Sequence, residues 1–117
     1  MKLHLLTLGA VLALASCTST QYGWDDYQED YYRYVKFADE KSAKELTKTY
    51  EKIIKRQGGA RKIVPPGIYA DYGWLLAENG KTSQAKEMFL KEIEYYPESS
   101  VFISNILKRL DNEKTDQ

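Results

Sequence analysis

Histidine and cysteine are nearly absent from this chain of 117 residues. Each occurs once, as His4 and Cys17, so no position after Cys17 holds either residue type. These residues are the commonest ligands of transition metals and two of the commonest catalytic side chains. A single cysteine also excludes a disulfide within one chain. We therefore predict that the protein is not an enzyme and that it needs no metal or cofactor.

The chain also lacks a net charge and a long apolar run. Its 17 Lys plus Arg balance 17 Asp plus Glu, which gives no sign of a nucleic-acid partner. The longest apolar run, residues 5–15, is shorter than the roughly 20 residues that cross a bilayer as a helix. The hydrophobic fraction of 43% is that of one small globular domain rather than a disordered segment.

The first 16 residues have the pattern of a secretory signal peptide, with a short basic start before the apolar run. The run ends in Leu14-Ala15-Ser16-Cys17, which resembles the lipobox of bacterial lipoproteins. This resemblance implies cleavage before Cys17 and attachment of acyl chains such as palmitate to the new N-terminal residue. Thr18, in place of Asp, favours the outer membrane by the sorting rule of enteric-type bacteria. The alternative is an ordinary secretory signal with a chance cysteine. We expect a lipid anchor in the outer membrane and a domain that faces the periplasm.

The rest of the chain is predicted as a lipidated cysteine and tether at 17–24, a helical domain at 25–111 and a polar tail at 112–117. Hydrophobic spacing predicts five helices and no convincing strand, so the fold class is all-α. The predicted helices cover residues 25–38, 39–57, 66–78, 82–96 and 99–110. We expect Asp39 to cap the second helix, Gly58-Gly59 to end it, and Pro66 to lie in the first turn of the third.

Gly80-Lys81-Thr82 matches the end of a phosphate-binding loop, but the rest of that motif is missing. The first glycine of the motif would stand at Leu75, and the preceding segment is helical in pattern. Without a glycine-rich backbone turn, nothing would cradle a phosphate. The sequence therefore predicts an interhelical turn here and no nucleotide.

Residues 66–99 resemble one tetratricopeptide repeat, a helical hairpin of about 34 residues. The matching residues are small, aromatic or helix-breaking at their usual positions: Tyr69, Gly73, Gly80, Ala85, Phe89 and Pro97. Three residues depart from the pattern: Tyr72, Leu76 and Glu92. At the position of Glu92 the repeat usually has Ala. The resemblance implies tetratricopeptide-like helical hairpins stacked as a small right-handed array. The first two helices would be at best a degenerate repeat, and the fifth would cap the stack.

Most of the chain also resembles a family of short bacterial lipoproteins that carry a domain of unknown function. The matching segments are the lipobox, the tyrosine-rich helix from Tyr27 to Tyr34, the segment from Val64 to Gly73, and residues 95–99. Such proteins tend to be encoded beside two other lipoproteins, one of them similar to the curli-export pore subunit. The resemblance implies an outer-membrane assembly with other envelope lipoproteins as partners, and it implies no chemistry.

The groove of a tetratricopeptide array is lined by four positions of each first helix, which here are Gly67, Ala70, Trp74 and Ala77. Trp74 would stand among small residues and anchor a peptide or a partner helix, because exposed tryptophan is a frequent hot spot of binding. We therefore predict that Trp74, Ala70 and Ala77 contact a partner. The alternative is that the first or second helix covers Trp74 and makes it part of the core.

Two further surfaces are candidate sites. Tyr32 lies off the buried face of its tyrosine-rich helix and could stack on a glycan, contact a partner or lie at the membrane interface near the lipid. A basic face on the second helix could meet anionic headgroups, lipopolysaccharide or an acidic protein, and a merely solvated face is the alternative. Its members are Lys41, Lys44, Lys48, Lys52 and Lys55.

Acidic residues offer no site. Asp25-Asp26 with Glu29-Asp30 lacks the glycine turn and the alternating oxygen ligands of a calcium loop, so no metal is predicted. The later glutamates show no partner that would raise a pKa, so an acid–base pair is not expected. They are Glu78, Glu87, Glu92, Glu94 and Glu98.

These observations predict an outer-membrane lipoprotein that is a non-enzymatic scaffold or accessory subunit. It would bind partner proteins of an envelope assembly through a tetratricopeptide-like surface. The alternative function is an envelope glycan-binding module that contacts peptidoglycan or lipopolysaccharide through its tyrosines and lysines.

Overall fold

The computed structural model describes residues 20–115, in which there are five α-helices and no strand. The helices are α1 (Tyr27–Phe37), α2 (Glu40–Arg56), α3 (Ile68–Glu78), α4 (Thr82–Tyr95) and α5 (Ser100–Thr115), and a 3₁₀ turn covers Pro97–Ser99. The predicted all-α class with about five helices is confirmed. The predicted signal peptide and Cys17 lie outside the described residues. Among the helices described, none combines the length and the apolar character needed to cross a bilayer.

A two-residue connection joins α1 to α2. Ala38 is left-handed at φ 47°, and its N–H donates to the carbonyl of Tyr34. Asp39 then caps α2, as predicted, because its carboxylate accepts from the Ser42 N–H at 2.8 Å. The Asp39 N–H in turn donates to the Ser42 hydroxyl oxygen at 3.2 Å, which completes a capping box. The hydrogen bonds from Ser42 hold the pKa of Asp39 below its usual range.

The residue that ends α2 is not the one predicted. Gln57, not a glycine, adopts the left-handed conformation, and its N–H donates to the carbonyl of Ile53. Gly59 instead makes room for the backbone of the N-terminal segment, whereas a Cβ on Gly58 would lie at an ordinary contact distance of 3.6 Å from Gly23. A Cβ on Gly59 would lie 2.5 Å from the carbonyl carbon of Tyr22.

The segment before α1 is hydrogen-bonded to the loop that follows α2. The Ala60 N–H donates to the Thr20 carbonyl at 2.9 Å, and the Arg61 N–H donates to the Gln21 carbonyl at 3.0 Å. A guanidinium nitrogen of Arg61 also donates to the Tyr22 hydroxyl at 2.9 Å. Residues 20–22, predicted as part of a tether, are therefore attached to the domain.

The prediction that Pro66 lies in the first turn of α3 was wrong. Gly67 has φ 90°, which is outside the helical region, so the helix begins only at Ile68 and Pro66 lies in the preceding turn. The chain before this turn is held by burial of Val64 and Pro65. The Tyr96 hydroxyl donates to the Val64 carbonyl at 2.6 Å.

Gly80-Lys81-Thr82 forms the turn between α3 and α4. The Gly80 N–H donates to the Ala77 carbonyl and the Lys81 N–H donates to the Leu76 carbonyl, which is the Schellman pattern of helix ends. Gly80 has φ 77°, a conformation that glycine adopts without strain. The predicted interhelical turn is confirmed.

The α3–α4 hairpin is closely packed at Gly73. A Cβ there would lie 3.1 Å from the Ala85 carbonyl oxygen and 3.1 Å from the Phe89 ring. Phe89 and Tyr69 are buried beside this contact. The small residues Gly73 and Ala85 thus lie where α3 and α4 are in close contact.

The core is built from α2, α3 and α4, with one fully buried residue from α5. Its largest apolar members are Leu46, Tyr50, Ile53, Ile68, Tyr69, Tyr72, Leu75, Leu76, Phe89 and Ile103. No residue of α1 is fully buried, although Tyr27 and Tyr34 pack against the core.

Helix α5 continues to Thr115, so residues 112–115 of the predicted polar tail are helical. Near this end, Lys86 of α4 forms an ion pair with Asp111.

Candidate functional site

Two cavities flank α3 on one side of the molecule, and we call them together the groove. The larger has a volume of about 450 Å³ and lies between α3 and α5. Its lining includes Ala70, Asp71, Trp74, Phe102, Ile106 and Arg109. The smaller has a volume of about 140 Å³ and lies between α1 and α3. Its lining includes Tyr31, Tyr34, Val35, Asp71, Trp74 and Glu78. Asp71 and Trp74 belong to both, so they form the ridge between the two halves.

Trp74 is 51% exposed and stands in the groove, so neither α1 nor α2 covers it. The opposite face of α3 supplies the core, which leaves Trp74 on the open side. Ala70 lies one turn earlier and lines the same cavity, where its small side chain leaves space beside the indole. Ala77 is partly buried against the core and lines neither cavity. Of the four predicted groove positions, Ala70 and Trp74 line the groove, and Gly67 and Ala77 do not.

Other apolar side chains extend the exposed surface around Trp74. Phe102 on α5 is 66% exposed and Val35 on α1 is 62% exposed, and each lines one half of the groove. Neither Phe102 nor Val35 was assigned to a site from the sequence. A signal was present, because Phe102 and Ile103 are neighbours and one face of a helix cannot bury both.

Two tyrosine–carboxylate pairs connect the helices on either side of the smaller cavity. The Tyr27 hydroxyl donates to Oδ2 of Asp71 at 2.6 Å, and the Tyr34 hydroxyl donates to Oε2 of Glu78 at 2.5 Å. Seven positions separate the two tyrosines and seven separate the two acids, so α1 and α3 run parallel. The two helices are joined here by side chains, with the cavity between their backbones.

Burial dominates the electrostatics of these pairs. It raises the pKa of Asp71, and the hydrogen bond from Tyr27 offsets part of this rise. Burial and the bond to Glu78 raise the pKa of Tyr34 to about 12, and burial and the bond to Asp71 raise that of Tyr27 further. Both tyrosines therefore stay neutral and keep donating at any physiological pH.

A buried carboxylate holds the start of α3. Glu92 of α4 is only 3% exposed, and its Oε1 accepts from the Gly67 N–H at 2.7 Å. Gly67 has no side chain with which to cap the helix, so Glu92 supplies the acceptor from the neighbouring helix. Burial raises the pKa of Glu92, and the N–H groups of Gly67, Ala70 and Tyr69 partly oppose the rise. The prediction for this glutamate considered only a partner as a cause of a raised pKa, and the main cause here is burial.

The other predicted site residues lie on separate surfaces. Tyr32 is 63% exposed and borders a shallow depression with Asp25, Asp26, Gln28 and Glu29. The basic face is exposed at four of its five lysines: Lys41, Lys44, Lys48 and Lys55. The fifth, Lys52, is half-buried and lies 3.7 Å from the carboxylate of Asp25. Neither Tyr32 nor any of these lysines lines the groove.

Within residues 20–115 there is no group of three or more His, Cys, Asp or Glu side chains that could hold a metal ion. The groove is a concave, largely apolar surface with the Trp74 indole and the Asp71 carboxylate at its centre, and its lining also includes Glu78, Arg109 and Glu113. Such a surface suits the side chains of another polypeptide.

A family model described as "Domain of unknown function (DUF4810)" matches residues 21–106. This range includes α1 to α4 and the first part of α5, and therefore most of the groove. No curated protein matches the chain, and no solved structure matches it.

Proposed function

This chain belongs to the DUF4810 family, and we propose that it is an outer-membrane lipoprotein that acts as a non-enzymatic scaffold or accessory subunit. The groove would bind partner proteins of an envelope assembly. The observation that carries this proposal is Trp74, an aromatic side chain that is 51% exposed between two cavities on a face built by three helices.

The shape and chemistry of the groove favour a helix or an extended peptide as the bound element. The larger cavity, of about 450 Å³, has room for bulky side chains, and Phe102 and Trp74 would pack against them. A tryptophan in a desolvated pocket typically contributes about 2 kcal/mol or more to binding. Arg109 and Glu113, at the border of this cavity, would fix the orientation of the bound element.

The tetratricopeptide-like arrangement is part of the same proposal. Its support is the α3–α4 hairpin with its close contact at Gly73, together with the parallel course of α1 and α3. In arrays of this class, parallel first helices line the concave surface and the second helices lie behind them.

The proposed membrane anchor is the acylated Cys17. Its support is the lipobox pattern, and the proposed partners are other envelope lipoproteins, including one similar to the curli-export pore subunit. Fractionation of cells tests the anchor. The native protein should sediment with outer membranes and carry the mass of its acyl chains, whereas Cys17→Ser should remain uncleaved or appear in the soluble fraction. A native protein without added acyl mass would contradict the proposal.

Affinity purification from envelope extracts tests the groove. Trp74→Ala should remain folded, because the side chain is half exposed, and should recover at least about tenfold less of the partner protein. Leu90→Ala is the matched control, since Leu90 is an exposed apolar residue on α4 that does not line the groove. Equal recovery with both variants would exclude Trp74 as an anchor.

Glycan binding is the second candidate function. The observation in its favour is the exposed Tyr32 ring beside the carboxylates and amide of Asp25, Asp26, Gln28 and Glu29. An aromatic ring for stacking and polar groups for sugar hydroxyls are the elements that a glycan needs. Pelleting with purified sacculi, reduced in Tyr32→Ala and unchanged in Trp74→Ala, would favour this function over the first.

A further inference from the structure

One end of the molecule is strongly basic. Between Glu51 and Asp71 the chain contains no acidic residue. Five cations lie in this stretch: Lys52, Lys55, Arg56, Arg61 and Lys62. Lys52 pairs with Asp25, and the other four are exposed at the last turn of α2 and in the loop after it. We call these four residues the basic end.

The basic end is also the place where the N-terminal segment attaches. Two backbone hydrogen bonds, from Ala60 to Thr20 and from Arg61 to Gln21, bind the segment to the loop. The Arg61 guanidinium adds a hydrogen bond to the Tyr22 hydroxyl and lies 5.8 Å from the centre of its ring. Gly59 lets the two backbones approach, because a Cβ there would collide with Tyr22.

Covalent geometry then limits the distance between this end and Cys17. Three residue steps separate Cys17 from Thr20, and an extended chain spans at most about 3.6 Å per residue, so the reach is roughly 11 Å. The Debye screening length in physiological salt is about 8 Å, which is comparable to this reach. A membrane that holds the acyl chains of Cys17 would therefore lie within electrostatic range of Arg61 and Lys62.

We propose that the basic end rests on the anionic phosphate headgroups of the membrane in which Cys17 is anchored, so that the groove is held at a fixed orientation. This inference depends on the lipid anchor proposed above and adds the surface that faces the membrane. Of the five lysines of the predicted basic face, only Lys55 belongs to this contact. Lys44, for example, lies roughly 16 Å from Lys55 along α2, at 1.5 Å per residue. Three acids lie nearest the contact. Glu51 lines a shallow depression with Lys55 and Arg56 and accepts a hydrogen bond from the Tyr72 hydroxyl at 3.2 Å. Asp25 is paired with Lys52, and Glu98 lies close to Tyr96, as does Arg61.

The experiment uses the chain from Cys17 to Gln117, coupled through its single thiol to a maleimide phospholipid in vesicles. One set of vesicles contains phosphatidylcholine alone, and the other also contains phosphatidylglycerol. An amine-reactive reagent then labels the lysines, and mass spectrometry gives the rate at each. On the anionic vesicles, Lys55 and Lys62 should react at least about threefold more slowly than on neutral ones, whereas Lys44 and Lys108 should not change.

Charge variants make the result specific. Arg56→Glu with Arg61→Glu keeps both reporter lysines and should abolish their protection, as should high salt. Lys41→Glu with Lys44→Glu changes the net charge equally at the other end of α2 and should leave the protection intact. Circular dichroism checks the fold of each variant, and Arg56→Gln with Arg61→Gln replaces the first pair if that pair unfolds.

Equal labelling rates on the two kinds of vesicle would overturn the proposal, as would protection that survives loss of the arginines. Because the coupling is chemical, neither outcome depends on acylation in cells, which the Cys17→Ser fractionation tests separately. If Lys55 and Lys62 are protected on anionic vesicles but the native protein from cells carries no acyl chains, the headgroup contact would be supported and the lipid anchor refuted.

Discussion

Glu92 is a carboxylate with almost no access to water. Its Oε1 accepts from the Gly67 N–H, and its Oε2 has no hydrogen-bond partner among the described residues. The start of α3, and with it the position of Trp74, therefore depends on a side chain from α4. Removal of the acceptor in Glu92→Ala should cost about 1–3 kcal/mol, because the buried N–H would be left without a partner.

The raised pKa of Glu92 has a pH signature of defined sign. A raised pKa means that folding favours the protonated form, so this stabilisation is complete below the ordinary value of 4.5 and is lost as the pH rises through the folded-state value. A tenfold difference in proton affinity between the folded and unfolded states corresponds to about 1.4 kcal/mol. Glu92→Gln, which keeps the acceptor and cannot ionise, should gain stability relative to the native protein as the pH rises.

Urea denaturation between pH 4 and pH 7.5 measures this difference. Glu87→Gln serves as the control, since Glu87 is exposed on the same helix, and its stability should follow that of the native protein at every pH. Parallel curves for Glu92→Gln and the native protein would show that Glu92 has the same pKa in the folded and unfolded states.

At the scale of helices, α1 is the least buried element among those described. It contributes no fully buried residue, and its bonds to α3 are Tyr27 to Asp71 and Tyr34 to Glu78. Tyr27→Phe should cost about 1–2 kcal/mol, because a half-buried carboxylate loses its donor. Tyr34→Phe should cost less than about 0.5 kcal/mol, because Glu78 is exposed and water replaces the bond.

Hydrogen exchange measures this effect helix by helix. In Tyr27→Phe the amides of α1 should exchange faster, while those of the α3–α4 hairpin keep their protection. A uniform increase over all helices would show that α1 unfolds only together with the rest of the domain.

The contrast between α2 and α1 shows what could be predicted from the sequence. The face of α2 formed by Leu46, Tyr50 and Ile53 follows from helical spacing alone, and so does its cap, because Asp39 and Ser42 are local partners. On α1 the same spacing marks a face that is only partly covered, since periodicity identifies apolar residues but not the area available to bury them. Val35 is therefore exposed in the groove.

Contacts between distant positions could not be predicted in this way. Tyr27 meets Asp71, 44 positions later, and Glu92 meets Gly67, 25 positions earlier. Neither pair has a local signature, because each depends on how whole helices pack. The same holds for Gly59, which allows the N-terminal segment to approach and does not end the helix. The resemblance to a tetratricopeptide repeat, rather than local spacing, led to the prediction that Trp74 lies in a groove, and the structure places Trp74 between two cavities.

At the scale of the whole molecule, the buried tyrosines set a limit on stability in alkali. Burial, with the Glu51 carboxylate nearby, raises the pKa of Tyr72 to about 12, and burial raises that of Tyr50 further. The folded state favours the neutral phenols, so this contribution is complete below the ordinary value of 10.0 and is lost as the pH rises through about 12. The domain should unfold cooperatively in that range.

Tyrosinate absorbance and circular dichroism, recorded together, measure this transition. The buried Tyr50 and Tyr72 should ionise only as the helical signal disappears, at a pH above the ordinary tyrosine value of 10.0. Ionisation of all ten tyrosines near pH 10 with the helices intact would contradict the burial described above.

The central claim at this scale is that the groove binds another protein. The most direct measurement is site-specific photocrosslinking in living cells, with a photoreactive phenylalanine analogue at position 102 in the groove or at position 90 on α4 outside it. The account predicts a discrete protein adduct from position 102 that is lost when Trp74→Ala is added, and no such adduct from position 90. Adducts of equal yield from both positions, or none from position 102 in a folded and correctly localised protein, would contradict it.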